Sequence, residues 1–346
     1  MPIPVRTLLL TGLLTALALQ ANAVLAAPLT LTDYLALRGP APTAHLAYGS
    51  APSQFVELFR PVGEGPFPVV LLVHGGCWTI KHGGIEQMRS MAGELAAHGI
   101  AVWNMEYRRA DEAGGGYPGT YLDLNAAIDK LVSEARRYQL DTGRVVAVGH
   151  SAGGHLAQWK GGRGKVAPGS VLFQATQLAV PQVISLGGLA DLRHEKALIR
   201  SSCGREVAEL TGAASPARPD VFADTNPADL IPNGSKTVLV TGALDTISPP
   251  RVALDYAARA RRAGDRADTV ILPDASHFDE VAVASPSWKL IFPLIEQALS
   301  IGTAPATGTS ATGMSATGTS ATGMSATGTS ATGMSATGKS IMLPEQ

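Results

Sequence analysis

Residues Arg144 to His155 read Arg-Val-Val-Ala-Val-Gly-His-Ser-Ala-Gly-Gly-His, an apolar run that stops at a Gly-x-Ser-x-Gly pentapeptide, Gly149 to Gly153. The run fits a strand buried on both faces, and the small residues around Ser151 fit a turn too sharp for bulkier side chains. A helix starting there would aim its free N–H groups and positive dipole end at the Ser151 hydroxyl. With 38 glycines in 346 residues, however, such a pentapeptide can also arise as a plain strand-to-helix turn. The rest of the chain must supply the partners that a serine nucleophile needs.

A serine hydroxyl attacks an acyl carbon only when a histidine takes its proton and an acid holds that imidazole in one tautomer. On a parallel α/β sheet the order along the chain is serine, acid, histidine. Three histidines follow Ser151. His155 lies one helical turn on and His194 sits in an irregular stretch, so His277, in the loop after the apolar run Thr269 to Leu272, is the candidate base by elimination. Asp245 directly follows the strand-like run Lys236 to Val240 and is the candidate acid. Asp191, just beyond Gly187-Gly188, is its rival and reads more simply as a capping carboxylate; Asp279 and Glu280 flank the base too closely to orient it and read as solvated.

An oxyanion needs backbone N–H groups that converge on one point, which a loop of small residues supplies. The run Val69 to Val73 delivers the chain into His74-Gly75-Gly76-Cys77-Trp78, where Gly75, Gly76 and Cys77, together with Ala152 after the serine, are the candidate donors. The alternative for this loop is a tight turn, and His74 reads as its brace. Tyr117 and His150 are assigned to the substrate pocket, Trp78 either to that pocket or to packing at the base of the loop, and the glycine-rich Gly114 to Gly119 loop either to the pocket entrance or to a plain connection.

Between these motifs apolar β-rich runs alternate with helical patterns, which predicts an α/β fold with a mostly parallel central sheet and helices on both faces. Short strands at His45 to Tyr48 and Gln54 to Phe59 look antiparallel, and the stretch Asp191 to Pro232, lacking strand periodicity, reads as a small lid-like insertion. Three parts follow. Residues 1–27 have the layout of a signal peptide: Arg6, an apolar run from Leu8 to Leu19, then small residues that allow cleavage after Ala23 or Ala26. Residues 28–301 form the catalytic domain, and residues 302–346 a low-complexity tail in which Ser-Ala-Thr-Gly-x recurs six times from Ser310 and which is too poor in large apolar side chains to fold. An exported (periplasmic or secreted) domain with no membrane span after cleavage is expected, the alternative being an uncleaved anchor. Export permits a Cys77–Cys203 disulfide without deciding it.

The net charge of −1, with no basic cluster, argues against nucleic-acid partners. The histidines and cysteines lack metal-binding spacing, and no Gly-x-Gly-x-x-Gly follows a strand, so neither a metal nor a cofactor is expected.

Four motifs together, His74-Gly75-Gly76-Cys77-Trp78, Glu106-Tyr107-Arg108-Arg109, Gly149 to Leu156, and the pair Asp245 and His277-Phe278, resemble the α/β-hydrolase superfamily. Within it the chain resembles bacterial esterase-like members related to hormone-sensitive lipase and kynurenine formamidase. The resemblance covers about Tyr48 to Leu299 and implies a serine-dependent hydrolase with Ser151, Asp245 and His277 as its triad and a small-molecule ester as substrate. Small-amide hydrolysis, prolyl-oligopeptidase-type peptidase activity and a catalytically silent binding module are the alternatives. Formamidase-like members often carry an aromatic residue where this chain has Cys77, which argues against an N-formylkynurenine substrate.

Overall fold

A computed structural model of the protein describes residues 27–300. The signal-peptide reading of residues 1–27, but for its last residue, and the repeat-tail reading of residues 302–346 lie outside the described residues. The first helix, α1 (Leu31–Ala36), opens on a capping box in which Thr30 and Asp33 exchange side-chain and backbone hydrogen bonds. Strands β1 (Ala44–Ala47) and β2 (Phe55–Phe59) then pair antiparallel, and β2 joins β4 (Ala101–Met105) antiparallel as well.

The rest of the sheet is parallel. It adds β3 (Phe67–Val73), β5 (Leu140–His150), β6 (Gln182–Leu186), β7 (Lys236–Gly242) and β8 (Ala267–Leu272), in the spatial order β1-β2-β4-β3-β5-β6-β7-β8. Side chains alternate between the two faces with the strand period of two. Val69, Leu71 and Val73 of β3 join Val145 and Ala147 of β5 in one apolar layer, while Val70 and Leu72 join Val146 and Val148 in the other. Both faces are covered, which is why these strands read as unbroken apolar runs rather than as alternating ones.

Helices α3 (Gly119–Tyr138) and α4 (Ala152–Gly162) pack on the first face, and α2 (Arg89–Ala97) and α8 (Trp288–Ser300) on the second. Helix α7 (Pro250–Arg262) covers the β7–β8 edge through Tyr256, Ala257 and Ala260. The stretch from Asp191 folds into two short helices, α5 (Lys196–Cys203) and α6 (Val207–Thr211), followed by a 3-10 turn at Pro227–Asp229. Helix α2 is preceded by a 3-10 turn at Ile85–Met88, in which the Gln87 side chain accepts the Gly84 N–H at 2.6 Å. Among the described residues no helix is long and apolar enough to cross a membrane.

Candidate active site

The C-terminal ends of β3, β5, β7 and β8 deliver their loops to one end of the sheet, where a parallel α/β sheet opens its crevice. At the end of β5 the chain reverses at Ser151, whose φ of 54° and ψ of −118° are strained for any residue but glycine. The turn is tight enough that a Cβ on Gly149 would lie 2.1 Å from the Gly153 carbonyl oxygen, and one on Gly153 would lie 2.2 Å from that of Val73. Helix α4 begins at Ala152, so the Ala152 N–H belongs to the first turn, which has no intrahelical acceptor.

Ser151 and His277 both line a cavity of about 210 Å³, with Leu31, Tyr34, Gly76, Cys77, Ile247 and Phe278 among the other walls. His277 is buried, and its Nδ1 lies 2.7 Å from Asp245 Oδ2. Asp245 is held in turn by the backbone N–H groups of Ile247 and Ser248, each 2.8 Å from Oδ1. The other two histidines are committed elsewhere. His155 is fully buried with Nε2 3.0 Å from the Thr225 carbonyl, and burial, partly offset by that bond, pulls its pKa down to about 4. His194 is on the surface beside Asp191, 2.8 Å away, and Asp191 also accepts from Asn226.

The β3 loop faces the serine directly. A Cβ on Gly75 would fall 3.0 Å from Ser151 Cβ, so only glycine lets this backbone approach so closely. Gly76, Cys77 and Trp78 then follow with φ of 104°, 54° and 52°, three successive left-handed residues that turn the backbone sharply. His74 braces the loop from beneath: its Nδ1 is 2.7 Å from the Gly75 carbonyl and its Nε2 2.7 Å from Glu106 Oε1. Tyr107 stacks on the His74 ring and donates its hydroxyl hydrogen to the His74 carbonyl at 2.9 Å. Burial pushes Glu106 up, but His74, Arg109 and the Tyr107 N–H outweigh it and hold the carboxyl below its ordinary range. A disulfide joins Cys77 to Cys203 at the end of α5, so the loop is covalently tied to the inserted helices. Ser202, next to that bridge, lines the cavity.

Four readings made from sequence are corrected or narrowed by the structure. Trp78 does not line the cavity: its left-handed backbone turns the indole into the core, fully buried edge-on against His155. Tyr117 does not either, since its ring lies beneath the Arg218 guanidinium, 4.0 Å away, and its backbone N–H bonds to Glu209 of α6. The glycine-rich loop is thereby packed against the insertion rather than placed at the entrance. Asp279 and Glu280 are buried, not solvated. Asp279 Oδ2 accepts the Leu29 N–H at 3.0 Å, while the Leu29 carbonyl accepts the Ser276 hydroxyl at 2.6 Å, which straps the segment before α1 to both sides of His277.

His150 lines the cavity, with its Nε2 3.0 Å from the His277 carbonyl; burial, then the proximity of His277, pulls its pKa well below the ordinary histidine range. Leu31, Tyr34 and Phe278 were missed. Their only sequence signal was an apolar pair ahead of the first strand and an aromatic next to His277. His150, His277 and Glu280 offer ligand atoms within 4.8 Å of one another, the one such group among the described residues. Both imidazoles are already engaged, by the His277 carbonyl and by Asp245, so the group does not fit a metal as it stands.

Comparison with known proteins agrees with this architecture. Esterase B from Lactobacillus rhamnosis superposes with a TM-score of 0.66 at 19% identity, over 79% of this chain and 90% of that one. A bacterial heroin esterase superposes with a TM-score of 0.55 at 26% identity, over 72% and 79% of the two chains. In sequence, a probable isoprenylcysteine alpha-carbonyl methylesterase of Arabidopsis thaliana is 25% identical over 249 residues, 68% of this chain and 50% of the relative. A putative alpha/beta hydrolase of Acanthamoeba polyphaga mimivirus is 30% identical over 102 residues, 29% of this chain and 28% of the relative. The chain thus spans about half the length, or less, of these curated relatives. The family model BD-FAE matches residues 57–257, a span that holds the β3 loop, the serine turn and Asp245, and the chain, an esterase-like α/β-hydrolase in fold, belongs to the BD-FAE family.

Proposed function

We propose that the protein is a serine hydrolase that cleaves carboxylic esters of short acyl groups, through an acyl-enzyme on Ser151. The observation that carries this reading is the buried 2.7 Å contact between His277 and Asp245, on the wall of the cavity that also exposes the strained Ser151. With Nδ1 turned to Asp245, the His277 Nε2 is the nitrogen left to take the serine proton. Ser151 Oγ then bonds to the acyl carbon, and the carbonyl oxygen becomes an oxyanion held by N–H groups of Ala152 and of the Gly75-Gly76-Cys77 loop. Collapse of this intermediate breaks the bond to the alcohol, which leaves with the proton from His277. Water, deprotonated by the same nitrogen, attacks the acyl-enzyme and releases the acid.

The small, largely apolar cavity, walled by Leu31, Tyr34, Ile247 and Phe278, supports a short acyl group. The relatives named as esterases support an ester over an amide. The Cys77–Cys203 bridge supports work outside the cytoplasm, since such bridges persist in oxidising compartments. The test is hydrolysis of p-nitrophenyl acetate, p-nitrophenyl butyrate and an aminoacyl-anilide by the purified protein and by Ser151→Ala. Ester turnover that falls at least about 10⁴-fold in the variant is expected. Absence of ester turnover together with no fluorophosphonate labelling of Ser151 would overturn the proposal.

A further inference from the structure

Glu280 is wholly buried three residues beyond His277. Its Oε1 accepts the Gly242 N–H at 2.8 Å, which fixes the carboxyl against the end of β7 just ahead of Asp245. No N–H or hydroxyl donor reaches the other oxygen, Oε2. The Glu280 carboxyl has Asp245 of the β7 loop as a hydrogen-bonding neighbour and Asp279 of its own turn nearby, and His150 Nε2, from the end of β5, lies 4.0 Å from Oε2. A Cβ on Gly187, at the end of β6, would stand 2.4 Å from Glu280 Oε2 and 2.8 Å from His277 Nδ1, so the acid and the base meet over a backbone that has no side chain. Among the described residues no lysine or arginine pairs with Glu280.

Two carboxylates side by side in a dry site cannot both ionise, and the one with fewer donors keeps its proton. Asp245 has three donors, the Ile247 and Ser248 N–H groups and His277, whereas Glu280 has one. We propose that Glu280 is a neutral positioning acid that donates the proton on Oε2 to Asp245, fixing the carboxylate that orients His277. This rests on the reading of Ser151, Asp245 and His277 as a triad. Burial and the Asp245 charge hold Glu280 well above the ordinary carboxylate range, in the same direction. A carboxylic acid kept neutral in an apolar setting so that it can donate is a known device of active sites. Here it leaves one net negative charge beside the imidazolium that forms during catalysis. An ionised Glu280 would place two there and would make His277 slower to give its proton to the leaving alcohol.

The test compares Glu280→Gln and Glu280→Ala with the wild type, with rates normalised to the fraction of Ser151 that a fluorophosphonate labels, so that misfolded protein does not count. The glutamine amide can accept from Gly242 and donate to Asp245, so Glu280→Gln should lose less than about tenfold in kcat and keep the acid limb of its kcat/KM profile where the wild type has it. Glu280→Ala removes the donor and orphans the Gly242 N–H, and should lose roughly 10- to 100-fold in kcat with KM within about twofold. A Glu280→Gln limb displaced to lower pH would mean that the native residue is charged, and unchanged kcat in Glu280→Ala would mean that it positions nothing; either overturns the proposal. Failure of the triad reading looks different, as unlabelled and inactive wild-type protein.

Discussion

Removing the Cys77–Cys203 bridge by Cys203→Ala should cost both stability and turnover, for separable reasons. The bridge closes a loop of 126 residues, and the chain-entropy estimate for a loop of that size is about 5 kcal/mol, with about 3 kcal/mol the more usual yield. For a domain of this size each kcal/mol moves the melting temperature by about 2–4 °C, so a fall of about 6–20 °C is expected. The effect on turnover comes from the loop itself. Cys77 and Trp78 sit at φ of 54° and 52°, where a residue with a Cβ is strained by about 1–2 kcal/mol. Trp78 stays anchored without the bridge, because it is buried and its carbonyl accepts the Ala110 N–H at 2.9 Å. Cys77 has no such second anchor at its side chain, and it can relax away from the geometry that aims the loop at Ser151. Loss of one oxyanion donor costs about 10²–10³-fold in kcat, and partial displacement should cost about 10- to 100-fold. Calorimetry and p-nitrophenyl butyrate kinetics on wild type and Cys203→Ala measure the two effects. A variant that melts and turns over like the wild type, or two titratable thiols in unreduced denatured wild type, would refute the reasoning.

Asp245→Asn should preserve the fold but lower kcat by about 10³–10⁴-fold, because the amide no longer holds His277 in the tautomer that accepts the serine proton; circular dichroism and ester kinetics check both parts. His155 is buried neutral with a pKa of about 4, so the unfolded chain binds the proton first as pH falls, and stability should drop from about pH 6.5 to about 4 by up to about 1.4 kcal/mol per unit. His155→Gln, which can keep the bond to the Thr225 carbonyl, should flatten that part of the urea-melt profile, and an unchanged slope would count against the assignment. Leu31→Ala should widen the cavity and shift preference toward longer acyl chains in a p-nitrophenyl ester series, whereas an unaltered chain-length profile would remove Leu31 from the walls that limit the substrate.

What the sequence revealed and what it concealed divide along a physical line. The parallel strands were legible because both faces are buried, so Val69 to Val73 and Val145 to Val148 appear as apolar runs with no partner information needed. The chemistry at the strand ends was legible for a related reason: chain order and strand-terminal position singled out Asp245 and His277, whose side chains lie 2.7 Å apart. Contacts made by a side chain across long sequence separations were hidden. The strap from Leu29 reaches residues 247 and 250 positions away, and nothing local in Leu29 to Tyr34 announces it. Trp78 stayed open between the pocket and the base of its loop because its direction depends on a left-handed backbone set by the loop around it, not on its type. Asp279 and Glu280 show the limit most sharply. As adjacent acids beside a histidine they read as a solvated pair, yet the turn after His277 sends them opposite ways. Asp279 ties the strap through Leu29 and Ser276, while Glu280 turns inward to Gly242. A pattern of residue types cannot separate two neighbouring carboxylates when burial, supplied by the far ends of β6 and β7, is what makes one of them a tether and the other a neutral acid.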